Sequence, residues 1–445
     1  MKFKNYKKLV FTLFLIFVQM LLLQNPVLSA QIKKITLVDA INLALSNNLD
    51  LQSQRINVEL AKNDIKTANR LQNPEINIFY NFGPAGRGNP QQIGATELIE
   101  IAKRGARKKL AQANLYKKDL DVKSQEFTLE MDVRETYVDL VGAKTVLGCL
   151  YEQKKLLEEF LSLSQKKHKS GDVQETDVIQ AQISVNQLET QINSAKTAVQ
   201  SARNDFNKAL NIKQENSDVV YDANEEELPG ETVFIALKTP DYSSKMPPFE
   251  KIANRALEKR LDIQLAKQEI EVAKKNLVVV SRKRVPDIEL MGGYGYQPHG
   301  HSDTGEFRAG AYAGANLSNL ALLYSFKPEI KNAQLQVEQA QTNYESAKNK
   351  ALKEMDSAYS QFLTSQSNLL FYKNRLIKDS EKLINISKKN YLEGKTDLTS
   401  LVVMEQSYKE IVIGYIKALA DYYTDWIDFL RTVNNEDFDL FDETL

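Results

Sequence analysis

Few side chains in this sequence stand where they could do chemistry. His299 and His301, two of the three histidines, lie two apart in "QPHGHSD", and paired imidazoles are transition-metal ligands. A tetrahedral site needs four donors, and no cysteine or further histidine accompanies them, so the pair reads as a solvated loop and no metal ligand is assigned. Gly292, Gly293 and Gly295 in "GGYG" share only their glycines with a phosphate-binding loop, because the Lys-Ser/Thr ending and a crossover helix are both missing. Cys149 is the sole cysteine and sits in "VLGCLY", the setting of a small buried hydrophobe rather than of a reactive thiol. It can form no disulfide within the chain. Without a hydrolytic triad or a His/Cys array, the chain reads as a non-enzyme with no cofactor.

The N-terminus bounds where such a chain acts. Lys2, Lys4, Lys7 and Lys8 precede an apolar run from Leu9 to Leu23 that closes on "VLSA", the layout of a secretory signal cleaved after Ala30. The run is short for a bilayer span of about 20 residues. The next residue is Gln31, not cysteine, which argues against a lipoprotein anchor. The sequence balances 58 basic against 58 acidic residues, so losing the four signal lysines leaves four net negative charges and no footprint for nucleic acid. No later segment approaches a transmembrane helix, so any membrane crossing falls to strands.

Strands are expected in two short inserts, about 75–101 and 286–325. In "PEINIFYNF", Ile76, Ile78, Tyr80 and Phe82 share one face and Glu75, Asn77 and Asn81 the other. In "PDIELMGGYGY", Ile288, Leu290, Tyr294 and Tyr296 oppose Asp287 and Glu289. A period of two with one apolar, aromatic face suits a strand between lipid and water. Each strand leads through a Gly, Pro and polar loop to a second alternating stretch, so one chain offers two hairpins. Four strands cannot close a membrane barrel, whose smallest forms use about eight, so a spanning reading requires several chains. A small soluble sheet capping a helical rod satisfies the same periodicity.

The rest of the chain is helical and repeats itself. "LALSNNLDLQ" (Leu43 to Gln52) matches "RALEKRLDIQ" (Arg255 to Gln264), and "PEI" from Pro74 falls on "PDI" from Pro286. Later, "KKHKSGDVQETDVIQAQ" resembles "KNYLEGKTDLTSLVVME", placing Gly171 on Gly394. The division is repeat 1 at about 35–212, a linker rich in Pro and turn formers at about 213–248, and repeat 2 at about 249–433. Val178, Ala181, Val185, Leu188, Ile192, Ala195, Val199, Ala202, Phe206 and Ala209 alternate spacings of three and four, a coiled-coil seam. Lys103 to about Ser170 holds no proline, so a continuous helix would extend about 100 Å. Long antiparallel helices reversing at Gly171 and Gly394 accommodate that length.

This order of pieces resembles the TolC-type outer-membrane efflux channel family over roughly Ile35 to Val433, with "LALSNNLDLQ", "GDVQETDVIQAQ" and "YLEGKTDLTSLV" as the matching segments. The resemblance implies a mostly α fold with β, in which long antiparallel coiled-coil helices form a periplasmic α-barrel. Each of three chains adds four strands to one transmembrane β-barrel. It implies a homotrimer in the outer membrane of a diderm bacterium, extending into the periplasm. Its partners would be outer-membrane lipid, a periplasmic adaptor (membrane fusion) protein and an inner-membrane transporter of RND or ABC type.

The function implied is a passive exit duct of a tripartite efflux or type I secretion system. A periplasmic coiled-coil scaffold or adaptor outside the membrane is the alternative. By resemblance the periplasmic tip, gate and adaptor contact would comprise Gly171, Thr176, Asp177, Tyr391, Gly394, Asp397 and Ser400. Tyr391 matches a gate tyrosine and Asp177 its acidic partner. Thr396 stands where TolC has an arginine, and Ser400 and Val403 where it has two aspartates. "ELIEIAKRGARKKLAQA" from Glu97 is similar to the CzcC-like, heavy-metal branch. The mature chain isolated from cells is expected to begin at Gln31, which intact-mass measurement reads directly; a chain retaining residues 1–30 would contradict the signal.

Overall fold

From Gln91 to Leu228 the sequence contains no proline, so nothing there removes a backbone donor or fixes φ against a helix. One helix of 67 residues results. The computed structural model describes residues 31–80, 91–171, 174–211, 219–223, 246–298, 307–318, 324–393 and 395–434. The expected signal, Phe82, Gly394, His299 and His301 lie outside these.

The chain runs β1 (Gln31–Ile35), α1 (Leu37–Asn47), α2 (Leu49–Asn69), β2 (Glu75–Tyr80), β3 (Gln91–Ile99), α3 (Lys103–Lys169), α4 (Glu175–Leu210) and β4 (Val219–Ala223). It continues through α5 (Phe249–Lys259), α6 (Leu261–Ser281), a 3₁₀ turn (Arg282–Arg284), β5 (Asp287–Pro298) and β6 (Phe307–Ser318). Then come α7 (Lys327–Phe371), a π-helical turn (Tyr372–Leu376), α8 (Ile377–Leu392) and α9 (Leu398–Val433). Among the described residues no helix is long and apolar enough to cross a membrane.

Two compact units divide these elements. The first gathers residues up to Asn48, Asp132–Leu237 and Phe371–Ala420. Its apolar centre is the expected seam: Val185, Leu188 and Ile192 of α4 pack with Leu150 and Leu157 of α3 and Val402 of α9. Gly142 of α3 lets α9 come close, since a Cβ there would stand 3.3 Å from that of Ala420.

The seam does not account for β4. Residues 219–223 fall inside the expected linker, yet they form a strand that pairs in parallel with β1, Gln31 opposite Val219 through Ile35 opposite Ala223. Side chains of α4 hold it. Asn207 Nδ2 donates to the Tyr221 carbonyl and Asn207 Oδ1 accepts from the Tyr221 amide, both at 2.8 Å. The buried Asp222 carboxylate accepts from Lys144 and Arg203, each at 3.2 Å, and from the Ala223 amide at 3.0 Å. Its shortness and the lack of clean alternation in "VVYDA" hid this strand in the sequence.

The second unit gathers Leu49–Met131, Lys238–Leu370 and the chain from Asp421 on. Phe362 of α7 lies at its centre against Tyr422, Trp426 and Phe429 of α9, with ring centroids 5.2, 4.9 and 6.1 Å away. Arg260, between α5 and α6, grips Asp262 at 2.9 and 2.6 Å, Glu354 of α7 at 2.9 Å and the Thr432 carbonyl in the last turn of α9 at 2.7 Å. That last bond satisfies a carbonyl that no intrahelical donor reaches. Here β2 with β3 and β5 with β6 form the two hairpins that the inserts predict, and β3 pairs with β5 to join them into one antiparallel sheet.

The second long helix departs from the first. Residues 372–376 form a π-helical turn, a feature that inserts one residue per turn and has no sequence signature in "YKNRL". The Tyr372 ring seats on Gly414 of α9, where a Cβ would meet its hydroxyl at 2.8 Å. Replacing Asp222 by alanine removes the carboxylate that the largely buried Lys144 and Arg203 share and is expected to cost about 3 kcal/mol. Urea denaturation in detergent, followed by circular dichroism, checks this; a loss under about 1 kcal/mol would mean that the cations find water instead.

Candidate functional site

The sheet of the second unit has two unlike faces. Residues directly opposite in register share a face. Ile78 stands opposite Ile93 and Ile93 opposite Tyr294, while Ile99, Ile288 and Leu317 form a second such row. Ile76 and Ile78 are 73% and 71% exposed, and Ile93, Leu290, Tyr294 and Leu317 are exposed as well. Of the expected membrane-strand residues, Ile76, Ile78, Ile288, Leu290 and Tyr294 therefore lie together on one apolar face. Tyr80 and Tyr296 hold the matching register positions in β2 and β5, and Phe82 lies outside the described residues. Glu97, opposite Leu290, is the one acid on this face and lies near the helical end of β3.

The other face is polar. Asn77 donates to the Thr96 hydroxyl at 3.0 Å, and Glu289 stands opposite Asn316. Tyr312 of β6 lies across the sheet on this face: a Cβ on Gly293 would stand 2.7 Å from its hydroxyl and 2.5 Å from the Ile93 carbonyl, and one on Gly94 would also strike the hydroxyl. Gly94 and Gly293 thus form a slot for this ring. Of the three glycines weighed as a phosphate loop, Gly293 instead helps to seat a tyrosine against the sheet.

Among the described residues the sheet ends at β2 and β6, with no further strand beside either outer edge. An antiparallel sheet with one apolar, exposed face and two unpaired edges is complete in lipid only when other strands cover those edges.

The helix turns of the first unit hold the remaining candidates. α3 ends on Lys166, Lys167, His168 and Lys169, cations that the negative end of the helix dipole favours, and α4 opens with Glu175 and Asp177, acids that its positive end favours. Gly171 between them has φ +82°, the left-handed conformation that glycine adopts without strain. Thr176 is exposed and its hydroxyl reaches Gln174 at 3.4 Å.

Tyr391 of α8 receives a hydrogen bond on its hydroxyl from Lys167 at 2.9 Å, and the same ammonium lies 4.9 Å from the ring centroid. The pairing with Asp177 that the resemblance implies is not formed within the chain; Lys167 takes that place. Asp177 instead lines a small cleft with Ser164, Ser184, Thr399, Val402 and Gln406, of about 20 Å³, room for one water. No sequence argument singled out Lys167, because its role depends on which side of α8 faces α3. Nor was Glu405 foreseen, a buried carboxylate of α9 paired with Lys388 of α8 at 2.7 Å.

Asp397 caps α9: its carboxylate accepts from the Ser400 amide at 2.7 Å. The hydrogen bonds from Ser400, first its side chain and then its amide, hold the Asp397 carboxyl below the usual carboxylate range. Ser400 is exposed and serves as the capped residue. Cys149 is buried and burial pushes its thiol up, consistent with a packing role. Among the described residues no group of histidine, cysteine or acidic side chains could hold a metal ion.

The family model for outer membrane efflux proteins matches residues 40–211 and again 252–433. No curated sequence matches the chain. Among solved structures, the outer-membrane channel OprN is similar at 17% identity and a TM-score of 0.69, covering 90% of each chain. CusC is similar at 14% identity and a TM-score of 0.68, covering 90% of this chain and 92% of its own. The Campylobacter jejuni CmeC outer membrane channel is similar at 17% and 0.65, covering 92% and 88%. These likenesses concern the fold.

The Asp397 cap carries a pH signature. A carboxyl whose folded pKa is depressed contributes stability above its unfolded pKa, about 3.9, and loses it as pH falls through the folded value. Amide exchange at Ser400 and Leu401 is therefore expected to quicken below about pH 4. Asp397→Ala is expected to abolish that step and to cost at most about 1 kcal/mol at neutral pH. An unchanged exchange profile in the variant would show that the cap does not hold the turn.

Proposed function

We infer, since this chain belongs to the outer membrane efflux protein family, that it is the outer-membrane exit duct through which an inner-membrane pump and a periplasmic adaptor discharge their cargo. It is a channel of the outer membrane that reaches into the periplasm, and it is not an enzyme. The observation that carries the finer reading is the four-stranded sheet with an exposed apolar face and open edges at β2 and β6. In lipid those edges must be covered, four strands are too few to close alone, and three copies joined β6 to β2 make twelve. The apolar row through Ile78, Ile93 and Tyr294 then meets lipid, and the face of Asn77, Thr96 and Glu289 lines the water-filled bore.

The two family matches, 40–211 and 252–433, support reading the chain as two copies of one unit. The turns at Gly171 and 393–397 are then the periplasmic tips that meet the adaptor and narrow the duct. At those tips the Lys167 bond to Tyr391 ties α3 to α8 and favours the narrow state. The reading of a periplasmic scaffold with a soluble sheet leaves Ile76 and Ile78 facing water.

Two measurements test this. The protein extracted from outer membranes is expected to run as a heat-modifiable trimer, and recovery as a soluble periplasmic monomer would reject the duct. Reconstituted in planar bilayers, Lys167→Gln combined with Tyr391→Phe is expected to raise single-channel conductance severalfold. Conductance equal to that of the unaltered protein would remove this bond from the gate.

A further inference from the structure

The end of the sheet nearest the helices combines two features that the channel reading does not use. The first is a band of cations. Ile99, the last residue of β3, stands opposite Ile288 at the start of β5, so the first turns of α3 and the 3₁₀ turn 282–284 meet at one end of the sheet. The ion pair of Lys103 with Asp287, 2.6 Å, joins them directly. Arg284 donates to the Ser325 carbonyl at 2.9 Å, which brings the exit from β6 to the same end.

Glu75, Glu97, Glu100, Asp287 and Glu289 are outnumbered eight to five here by the lysines and arginines of 103–109 and 282–284. Of those acids, Glu100 is taken by Arg107 and Asp287 by Lys103. Arg104, Lys108, Lys109, Arg282 and Lys283 have no described carboxylate within ion-pair distance, and all but Lys108 are exposed. The macrodipole of α3 does not explain Arg104, Lys108 and Lys109, since its positive end disfavours cations, whereas Arg282 and Lys283 follow the C-terminus of α6, whose negative end favours them.

The second feature is a belt of exposed apolar side chains beside that band: Leu71, Ile99, Ile101, Leu290 and Leu317. Apolar side chains flanked by long cationic ones, whose stems reach along an apolar surface while their heads stay wet, mark a bilayer interface. Charge complementarity and continuity with the apolar strand face select the occupant.

We propose that Arg104, Lys108, Lys109, Arg282 and Lys283 form a docking surface for the anionic headgroups of a phospholipid bilayer, seated on the leaflet that adjoins the helices; this rests on the channel reading. The surface sets the depth of the strands in the membrane, because the cations stop at the headgroups while the apolar face continues into the acyl region.

The test uses the full-length protein and a variant carrying Arg104→Gln, Lys108→Gln, Lys109→Gln, Arg282→Gln and Lys283→Gln. Association with phosphatidylethanolamine vesicles is compared with and without about one fifth phosphatidylglycerol, at low and high salt. The unaltered protein is expected to associate more than about tenfold more tightly with the anionic vesicles at low salt, and the variant to lose that preference while still inserting into neutral ones. Arg104→Lys with Arg282→Lys is expected to retain it, since headgroup attraction reads charge. A preference that persists in the five-fold variant, or that is absent from the unaltered protein, would overturn the proposal.

Inorganic phosphate should compete no better than sodium chloride of equal ionic strength. Stronger competition would make this a free-phosphate site and overturn the lipid assignment. If the unaltered protein inserts into neither vesicle, the channel reading falls and this surface with it. Insertion into neutral vesicles without a lipid preference would overturn the surface alone.

Discussion

An unpaired strand edge is costly in lipid, where no water replaces the missing partner, and much of this molecule follows from that constraint. Its sheet has four strands, an apolar exposed face and open edges at β2 and β6. Such a sheet is either a soluble cap with isoleucines facing water or one part of a closed barrel. Membership of the outer membrane efflux protein family supports the second, which is the reading proposed above. In the proposed duct, closure by three copies would require each chain to present identical edges and to bring its helices to the same side of the membrane.

Within each unit, packing and a few charged anchors share the work of holding long helices in register. Apolar seams such as Val185, Leu188 and Ile192 bind the helices but allow them to slide by a turn, because the seam repeats. Polar anchors do not repeat. Asp222 takes Lys144 and Arg203 at once, and Arg260 joins α6, α7 and the last turn of α9. A slip of one turn would leave each of these groups buried without its partner, so they act as register marks as much as stabilisers.

The tip and the strand end invite comparison, since both concentrate lysine and arginine. At the tip, Lys166, Lys167 and Lys169 stand where the helix dipole favours them, and Lys167 is engaged with Tyr391. At the strand end the cations of 103–109 oppose the dipole of α3, those of 282–284 follow the C-terminus of α6, and both groups have apolar neighbours. Similar composition therefore has unlike physical surroundings at the two places.

How far the sequence reached is plain in particular residues. The absence of proline from Lys103 to Lys169 permitted α3 to be continuous, and the period of two in "PEINIFY" and "PDIELMGGYGY" placed the strands and their apolar face. These are local properties, set by backbone geometry and by which side chains recur on one face. The parallel pairing of β1 with β4, the π turn at Tyr372, the slot of Gly94 and Gly293 beneath Tyr312 and the bond of Lys167 to Tyr391 were decided only in three dimensions. Each joins residues distant in the chain, and whether they meet depends on the rotation of one helix or the register of one strand against another, which periodicity leaves free.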